Sequence, residues 1–583
     1  MKLNDALVET LLALDVRYVF GVSGANIEHL HDAIHRRGQG RLRSVMARSE
    51  SGAAFMADGY ARVHRRLGVC CATSGGGMLN LLVGVAESYA ESVPVLAVVG
   101  QPPLSLHGRG AFQDSSGVGH TLNAEQLWSA ASKFTAQVTR AEEFWPTLRR
   151  ALRAALTGRP GPAVLLIPRD VYELEVGDTP PDWDAWFAEV VARPPPVAPE
   201  RVEPLLEALR AARAPVLVLG HGVRRSPGGE QVAGFALATG LPVATTLSSR
   251  GDFPNDAPGY LGMVGVAGHP SVHEYLEREA DLLVFAGTGL NVMTRGPISH
   301  LLTKKDVFFV NVDCADLAAN YRTARFLEAD AGEAFLALRA RQASAPLRFS
   351  PPRDYARRVF RPLLASGQRA QPGAGGLLQS HALALLQRVL PREGHLVYDA
   401  GNCSASAMHY GVVPTGTSST IALGMGGMGY AVGAAIGAQL GSAGARTVAF
   451  VGDGAFLMSG LEIHTAVEHG LPILYVIFNN GGHGMCVTRQ KLYFEGRVEC
   501  ATYPAVDIAR LSSGMGGPER LWVGRASSAA ELEQRMEEYL ARGPVPGVLE
   551  LLIGEEELPP FTPFLPRDAP TVAFSGQVQQ LYE

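Results

Sequence analysis

No apolar run in the 583 residues is long and uncharged enough to cross a bilayer. The opening segment, MKLNDALVETLLALDVRYVFG, reads as an amphipathic helix entering a strand and lacks the small-residue cleavage pattern of a signal peptide, so a soluble cytoplasmic protein is expected. Only six cysteines occur (Cys70, Cys71, Cys314, Cys403, Cys486 and Cys500), with no CxxC pair and no metal-ligand spacing, which predicts reduced, mostly structural thiols. There is no basic block, and the net charge of −5 argues against a nucleic-acid partner.

What is present is apolar content, 47% of the residues, in a chain too long for a single core. Short apolar runs alternate with helical patterns: LGVCCATSG, VPVLAVVGQ, PAVLLIPRD, APVLVLGHG, ADLLVFAGTG, DVFFVNVD, RTVAFVGDG and PILYVIFNN. Such alternation is the pattern of parallel sheets covered by helices. Two segments interrupt it, the proline run VARPPPVAPE at 191–200 and the stretch 350–377 with SPPRD and ASGQRAQPGAGG. The expected division is 1–185, 198–345 and 376–560, each an α/β domain, with a tail at 561–583.

The stretch VGDGAFLMSGLEIHTAVEHGLPILYVIFNNGGHGM carries the first chemistry. Its GDGA follows a strand and opens a helix, so the backbone turns sharply at the carboxyl end of a parallel strand, where ligands bind and a helix N-terminus favours phosphate. Asp453 offers a hard carboxylate oxygen and Asn480 an amide oxygen, which suit Mg²⁺ held against a diphosphate. A GDG alone is a turn and an NNGG alone a hairpin or loop; their combination across one strand–helix–strand unit is what points to a ligand.

This combination resembles the thiamine-diphosphate motif of the decarboxylase and acetolactate synthase superfamily. Further motifs follow in family order: SESGAAFMADGYARV from Ser49, TSGGGMLN from Thr73 to Asn80, GAFQDSSG, GRPGPAVLLIPRDV, LGMGGMGYAVGAAIGA and KLYFEGR. The resemblance covers essentially the whole chain. It implies an α/β protein of three doubly wound parallel-sheet domains, which bind the aminopyrimidine (first), form the centre (second) and bind the diphosphate (third).

By the same resemblance Glu50 bonds the N1′ atom of the aminopyrimidine and promotes loss of the C2 proton, a task for which an apolar pocket would raise its pKa. If Glu50 were instead only a helix cap, it would cap the helix beginning near Gly52. Met428 bends the cofactor between its two rings, and Gly426 offers its carbonyl to the aminopyrimidine. The implied Mg²⁺ ligands are Asp453, Asn480 and the backbone oxygen of Gly482; Asn402, Cys403, Gly454, Ala455, Met485 and Asn80 lie near the cofactor. Because the glutamate and the diphosphate motif meet across a subunit boundary in this family, a homodimer or homotetramer is expected.

GAFQ resembles acetolactate synthases, so Phe112 and Gln113 are expected beside C2, with Gln113 donating to the reacting oxygens. That favours a carboligase that decarboxylates a 2-oxo acid, pyruvate being the expected donor, and passes the acyl carbanion to an acceptor carbonyl. The alternatives are a decarboxylase that releases an aldehyde and a non-catalytic cofactor-binding relative. His483 is nominated from the cofactor loop ahead of His29 and His120. Where biosynthetic relatives carry a tryptophan this chain has Arg489, open between a clamp for an anion and a surface residue. The middle third resembles the FAD-holding domain of those enzymes, yet their flavin segment is replaced by GTGLNVMTRG at 287–296, so the fold without FAD is expected and FAD is the alternative.

Overall fold

The protein is described by a computed structural model covering residues 1–180, 182–350, 376–442, 444–554 and 557–564. The connection read at 350–377 and the tail read at 561–583 lie almost wholly outside the described residues.

Three six-stranded sheets are formed, each parallel throughout. The first contains β1 (Tyr18–Gly21), β2 (Arg43–Met46), β3 (Gly68–Ala72), β4 (Val95–Gln101), β5 (Phe134–Gln137) and β6 (Ala163–Pro168). The second contains β7 (Pro215–Leu219), β8 (Val243–Thr245), β9 (Tyr260–Met263), β10 (Leu282–Ala286), β11 (Asp306–Asn311) and β12 (Arg325–Glu328). The third contains β13 (Gly394–Tyr398), β14 (Thr417–Ile421), β15 (Arg446–Gly452), β16 (Ile473–Asn479), β17 (Trp522–Ala526) and β18 (Gly547–Leu552). The eight apolar runs picked out in the sequence are β3, β4, β6, β7, β10, β11, β15 and β16, all inner strands. They had to be apolar on both faces because helices cover both.

The first sheet is ordered β2-β1-β3-β4-β6-β5, and the third repeats that order as β14-β13-β15-β16-β18-β17. The middle sheet, β12-β11-β10-β7-β8-β9, has the strand order of dinucleotide-binding sheets. Strand order reverses between β1 and β3, between β7 and β10, and between β13 and β15, and at each reversal the carboxyl ends leave a crevice for a ligand.

The two outer sheets form one body through a helix pair, Glu50–His64 against Tyr430–Leu440. Glycine makes the close approach possible. A Cβ on Gly59 would lie 2.3 Å from the Ala434 carbonyl oxygen, and one on Gly437 would lie 1.9 Å from that of Met56. The middle lobe docks through His269, which shares a hydrogen bond with the His409 carbonyl, and through Arg224, which donates to the Ser419 carbonyl at 2.9 Å.

The helix Trp183–Val191 runs across residue 185 and packs Trp183 on Trp145 at 5.0 Å, so the first lobe continues to Val191. The proline-rich segment then follows, without helix or strand from 192 to 198. No helix among the described residues is long and apolar enough to cross a membrane.

Candidate active site

The crevice between β1 and β3 gathers the site residues of the first lobe. Ser49, in extended conformation, accepts from the Gly52 N–H at 3.1 Å and so caps the helix that Glu50 begins. Capping is thus done by Ser49, and the Glu50 carboxylate is left to other partners. Asn80 Nδ2 donates to Glu50 Oε2 at 3.1 Å, and a Cβ on Gly77 would lie 3.0 Å from Glu50 Oε1. Thr73 Oγ1 donates to Gln113 Oε1 at 3.3 Å, and Gln113 adopts a left-handed φ of 60°. Phe112 beside it is 80% exposed.

The apolar enclosure expected for Glu50 is not supplied by this chain: the residue is half-buried, and its hydrogen-bond partner, Asn80, is exposed. His29 stacks on Tyr172 with ring centroids 5.9 Å apart, and His120 is exposed on a loop.

The crevice between β13 and β15 gathers the rest. Asp453 heads the helix Asp453–Ser459; its Oδ2 accepts from the N–H groups of Gly481 (2.8 Å) and Gly482 (3.2 Å), and its Oδ1 from that of Gly454 (3.0 Å). Burial pushes the Asp453 carboxyl above its ordinary range, and the Tyr503 hydroxyl and then these N–H groups pull it back. Asn480 Oδ1 accepts from the same Gly482 N–H at 3.3 Å. The two oxygens proposed as metal ligands thus converge on one amide.

The adjacent asparagines divide their work at the end of the strand: Asn479 is its last residue and is buried, its Oδ1 accepting the Gly481 N–H at 3.3 Å, whereas Asn480 lies just beyond it. Asn479 Nδ2 turns inward and donates to Glu550 Oε1 at 2.6 Å and to the Val506 carbonyl at 2.9 Å, which leaves Asn480 at the crevice.

Gly454 brings further residues together, since a Cβ there would lie 2.6 Å from His483 Nδ1 and 3.3 Å from Met428 Cε. Ala455 is buried behind it. Cys403 Sγ would be 3.7 Å from a Cβ on Gly452, and burial pushes its thiol up to about 12. Asn402 Nδ2 donates to Thr488 Oγ1 at 3.2 Å, while Asn402 Oδ1 and His483 Nδ1 are buried with no hydrogen-bond partner among the described residues. Met485 lies in the first turn of the helix Gly484–Tyr493, whose last turns carry Arg489 with its guanidinium 3.5 Å from Cys486 Sγ. Gly426, with φ 64°, lies on the turn before the Tyr430 helix.

Three acids missed in the sequence hold these parts in place. Glu462 accepts the N–H groups of Arg48 and Ser49 at 2.9 to 3.2 Å, fixing the entry to the Glu50 helix. Asp399 accepts those of Gly429 (3.0 Å) and Ala431 (2.9 Å), and burial pushes its carboxyl up to about 6. Glu87 accepts those of Gly424, Met425 and Gly426. Most of their partners are backbone N–H groups, which carry no residue identity, so no side-chain motif marks them.

A third crevice, of about 1210 Å³, opens between the first and middle lobes at the carboxyl ends of β7, β10 and β11, lined in part by Glu91, His221, Arg225, Gly287 and Asn291.

Comparison with known proteins gives three family matches: "Thiamine pyrophosphate enzyme, N-terminal TPP binding domain" over residues 1–119, the central domain of the same enzymes over 202–338, and their C-terminal TPP binding domain over 399–551. The chain is 30% identical over 565 residues to the acetolactate synthase large subunit of Corynebacterium glutamicum, covering 94% of this chain and 86% of that one. It is 28% identical over 568 residues to the acetolactate synthase isozyme 1 large subunit of Escherichia coli (95% and 94%). Against acetolactate synthase 1, chloroplastic, of rice it is 28% identical over 574 residues (95% and 85%).

Proposed function

The chain belongs to the thiamine pyrophosphate enzyme family, and from that premise we propose that the crevices of the first and third lobes are the two halves of one thiamine-diphosphate site, completed across a pair of chains. The activity is that of a thiamine-diphosphate-dependent carboligase of acetolactate synthase type, acting on a 2-oxo acid and a carbonyl acceptor. Pyruvate is the donor we propose. The observation that carries the reading of the site is the Asp453–Asn480–Gly482 knot at a strand-order reversal.

Among the described residues no three His, Cys, Asp or Glu side chains cluster as a metal cage. The knot instead offers one carboxylate and neutral oxygens, a set that suits Mg²⁺ sharing its shell with phosphate. Asp453, Asn480 and the Gly482 carbonyl would hold that ion, and the unpartnered Asn402 Oδ1 and His483 Nδ1 are the buried polar atoms a bound cofactor would satisfy. The bound cofactor supplies an electron sink, which lets a 2-oxo acid lose CO₂ and its acyl carbon attack a second carbonyl.

The chain's own groups then have distinct tasks. Glu50 holds a proton at N1′ of the aminopyrimidine, and Asn80 orients its carboxylate. Gly426 accepts from the aminopyrimidine amino group through its carbonyl, and Met428 props the two rings. Gln113, steadied by Thr73, donates to an oxygen of the acceptor, and Phe112 walls the pocket.

Leu79, Val83, Met425, Met458 and Leu461 are exposed around the two crevices. Such an apolar rim is suited to cover by a second copy, which would give Glu50 the apolar surroundings it lacks within one chain. A homodimer, or a homotetramer built from it, is the proposed assembly; light scattering on the purified protein reads it directly. The proposed location is the cytoplasm.

For the third crevice we propose no FAD, because the segment 287–296 departs from the flavin pattern. A flavin absorbance band at one equivalent per chain would overturn this. The reaction itself is tested with protein, thiamine diphosphate, Mg²⁺ and pyruvate: CO₂ release with acetolactate or another coupled product supports ligation, and acetaldehyde alone would mark a non-ligating decarboxylase.

A further inference from the structure

Glu87 lies in the helix Gly76–Ala90 of the first lobe, yet it is tied to the third. Its side chain is 1% exposed. Oε1 accepts from the Gly424 N–H at 3.0 Å, and Oε2 accepts from those of Met425 (2.6 Å) and Gly426 (3.2 Å). Three consecutive N–H groups converging on one anion form a backbone nest, here filled by a side chain of the same polypeptide.

The approach is close. A Cβ on Gly424 would lie 2.4 Å from Ala90 Cβ and 3.3 Å from Glu87 Oε1, so the turn is pressed against the Gly76 helix. Gly426 is held in the left-handed region, which sets the direction of its carbonyl, and Met428 follows two residues later.

The carboxylate is itself supported. Arg62 lies 3.9 Å from Glu87, is paired to Asp58 at 2.6 Å and lies 3.8 Å from Glu91; it also donates to the Ile421 carbonyl at 3.2 Å. Tyr430, which opens the helix after the turn, donates to Asp58 at 2.5 Å. Burial pushes Glu91 up to about 7, which lessens the competition for Arg62 near neutral pH. A buried carboxylate with a single shared cation is costly to keep unless its acceptors are filled, and the three N–H groups fill them. Glutamine would turn an NH₂ towards at least one of those donors.

We propose that Glu87 is a positioning residue for the cofactor: by gathering the N–H groups of 424–426 it fixes the turn that aims the Gly426 carbonyl and the Met428 side chain at the aminopyrimidine. The inference rests on the thiamine-diphosphate site proposed above. It separates two parts of cofactor binding, because the turn meets the rings, whereas the diphosphate is held at Asp453.

The test is calorimetric titration of full-length wild type, Glu87→Gln and Glu87→Asp with thiamine diphosphate and Mg²⁺, and separately with inorganic pyrophosphate and Mg²⁺. Glu87→Gln is expected to weaken thiamine diphosphate by about tenfold or more while leaving pyrophosphate unchanged. Glu87→Asp, which keeps the charge but withdraws it by one methylene, should fall between and serves if the glutamine variant does not fold. The near-ultraviolet circular dichroism of the bound aminopyrimidine should change in parallel. Equal affinities in all three proteins would overturn the proposal, and so would equal weakening towards both ligands, which marks a general packing role. A wild-type chain that binds pyrophosphate but not thiamine diphosphate would instead overturn the reading of the site on which this rests.

Discussion

Asn80 Nδ2 stands 3.1 Å from Glu50 Oε2, and this hydrogen bond joins the two helices that flank the β1–β3 crevice. Among the described residues it is the one polar bond that aims the Glu50 carboxylate. Glu50→Gln is expected to keep cofactor affinity while cutting kcat at least about a hundredfold, the scale of a lost proton-transfer group. Asn80→Ala, which loses orientation only, should cut it about fivefold. Steady-state turnover with a parallel cofactor titration checks both, and near-normal turnover in Glu50→Gln would remove it from its role.

Asp453→Ala should act on retention rather than on turnover at saturation. The carboxylate is the only charged ligand proposed for the ion, so the Mg²⁺ and thiamine-diphosphate dissociation constants should rise about a hundredfold. Chelator treatment of the wild type should release the cofactor as well. Unchanged affinity in the variant would undo the metal assignment.

Gly437→Ala tests the helix pair that unites the outer lobes. The added methyl would sit 1.9 Å from the Met56 carbonyl oxygen, which is backbone and cannot step aside, so a loss of about 3 kcal/mol is expected in urea unfolding. A variant as stable as wild type would mean that the two helices can separate without cost.

The acid limb of stability should trace to buried histidines. Burial pushes His273 down to about 4, and the Gly265 N–H donates to its Nε2 at 3.4 Å, an acceptor only in the neutral ring. The unfolded chain therefore binds a proton near pH 6.5 that the folded one refuses until about pH 4. Its contribution is intact above pH 6.5 and is lost as pH falls towards 4, to the extent of about 3 kcal/mol. His273→Gln should flatten the melting-temperature profile in that window; an unchanged slope would reject the assignment.

Arg489 sits on the Gly484–Tyr493 helix one turn beyond Met485. If it recognises an anionic group of the acceptor, Arg489→Trp should change the ranking of acceptors and leave CO₂ release from the donor nearly constant. Competition assays with charged and neutral acceptors measure this, and equal losses for every acceptor would point to misfolding.

Much of this molecule is legible in sequence because it depends on local pattern. Apolar runs such as VLAVVGQ and ILYVIFN, short, rich in β-branched residues and bounded by Gly, Pro or Asn, read as strands covered on both sides, and a GDG after such a run sets a turn at the strand's carboxyl end. Four of the six edge strands, β2, β5, β12 and β17, are short and partly exposed, so their apolar signal in the sequence is weak. The helix Trp183–Val191 spans residue 185 and is anchored by Trp145, a contact no composition change announces.

By itself the sequence determined the three parallel sheets and the GDG and NNGG turns, and it supplied the residues from which the site is proposed to be built. Tertiary structure alone decided how those residues are held. Asn479 and Asn480 are indistinguishable as letters, and only the end of the strand at Asn479 and its bond to Glu550 set one in the core and leave the other beside Gly482. Glu87 and Glu462 reach backbone N–H groups more than 300 residues away in sequence. Backbone donors carry no residue identity, so such bonds exist only once the lobes have packed.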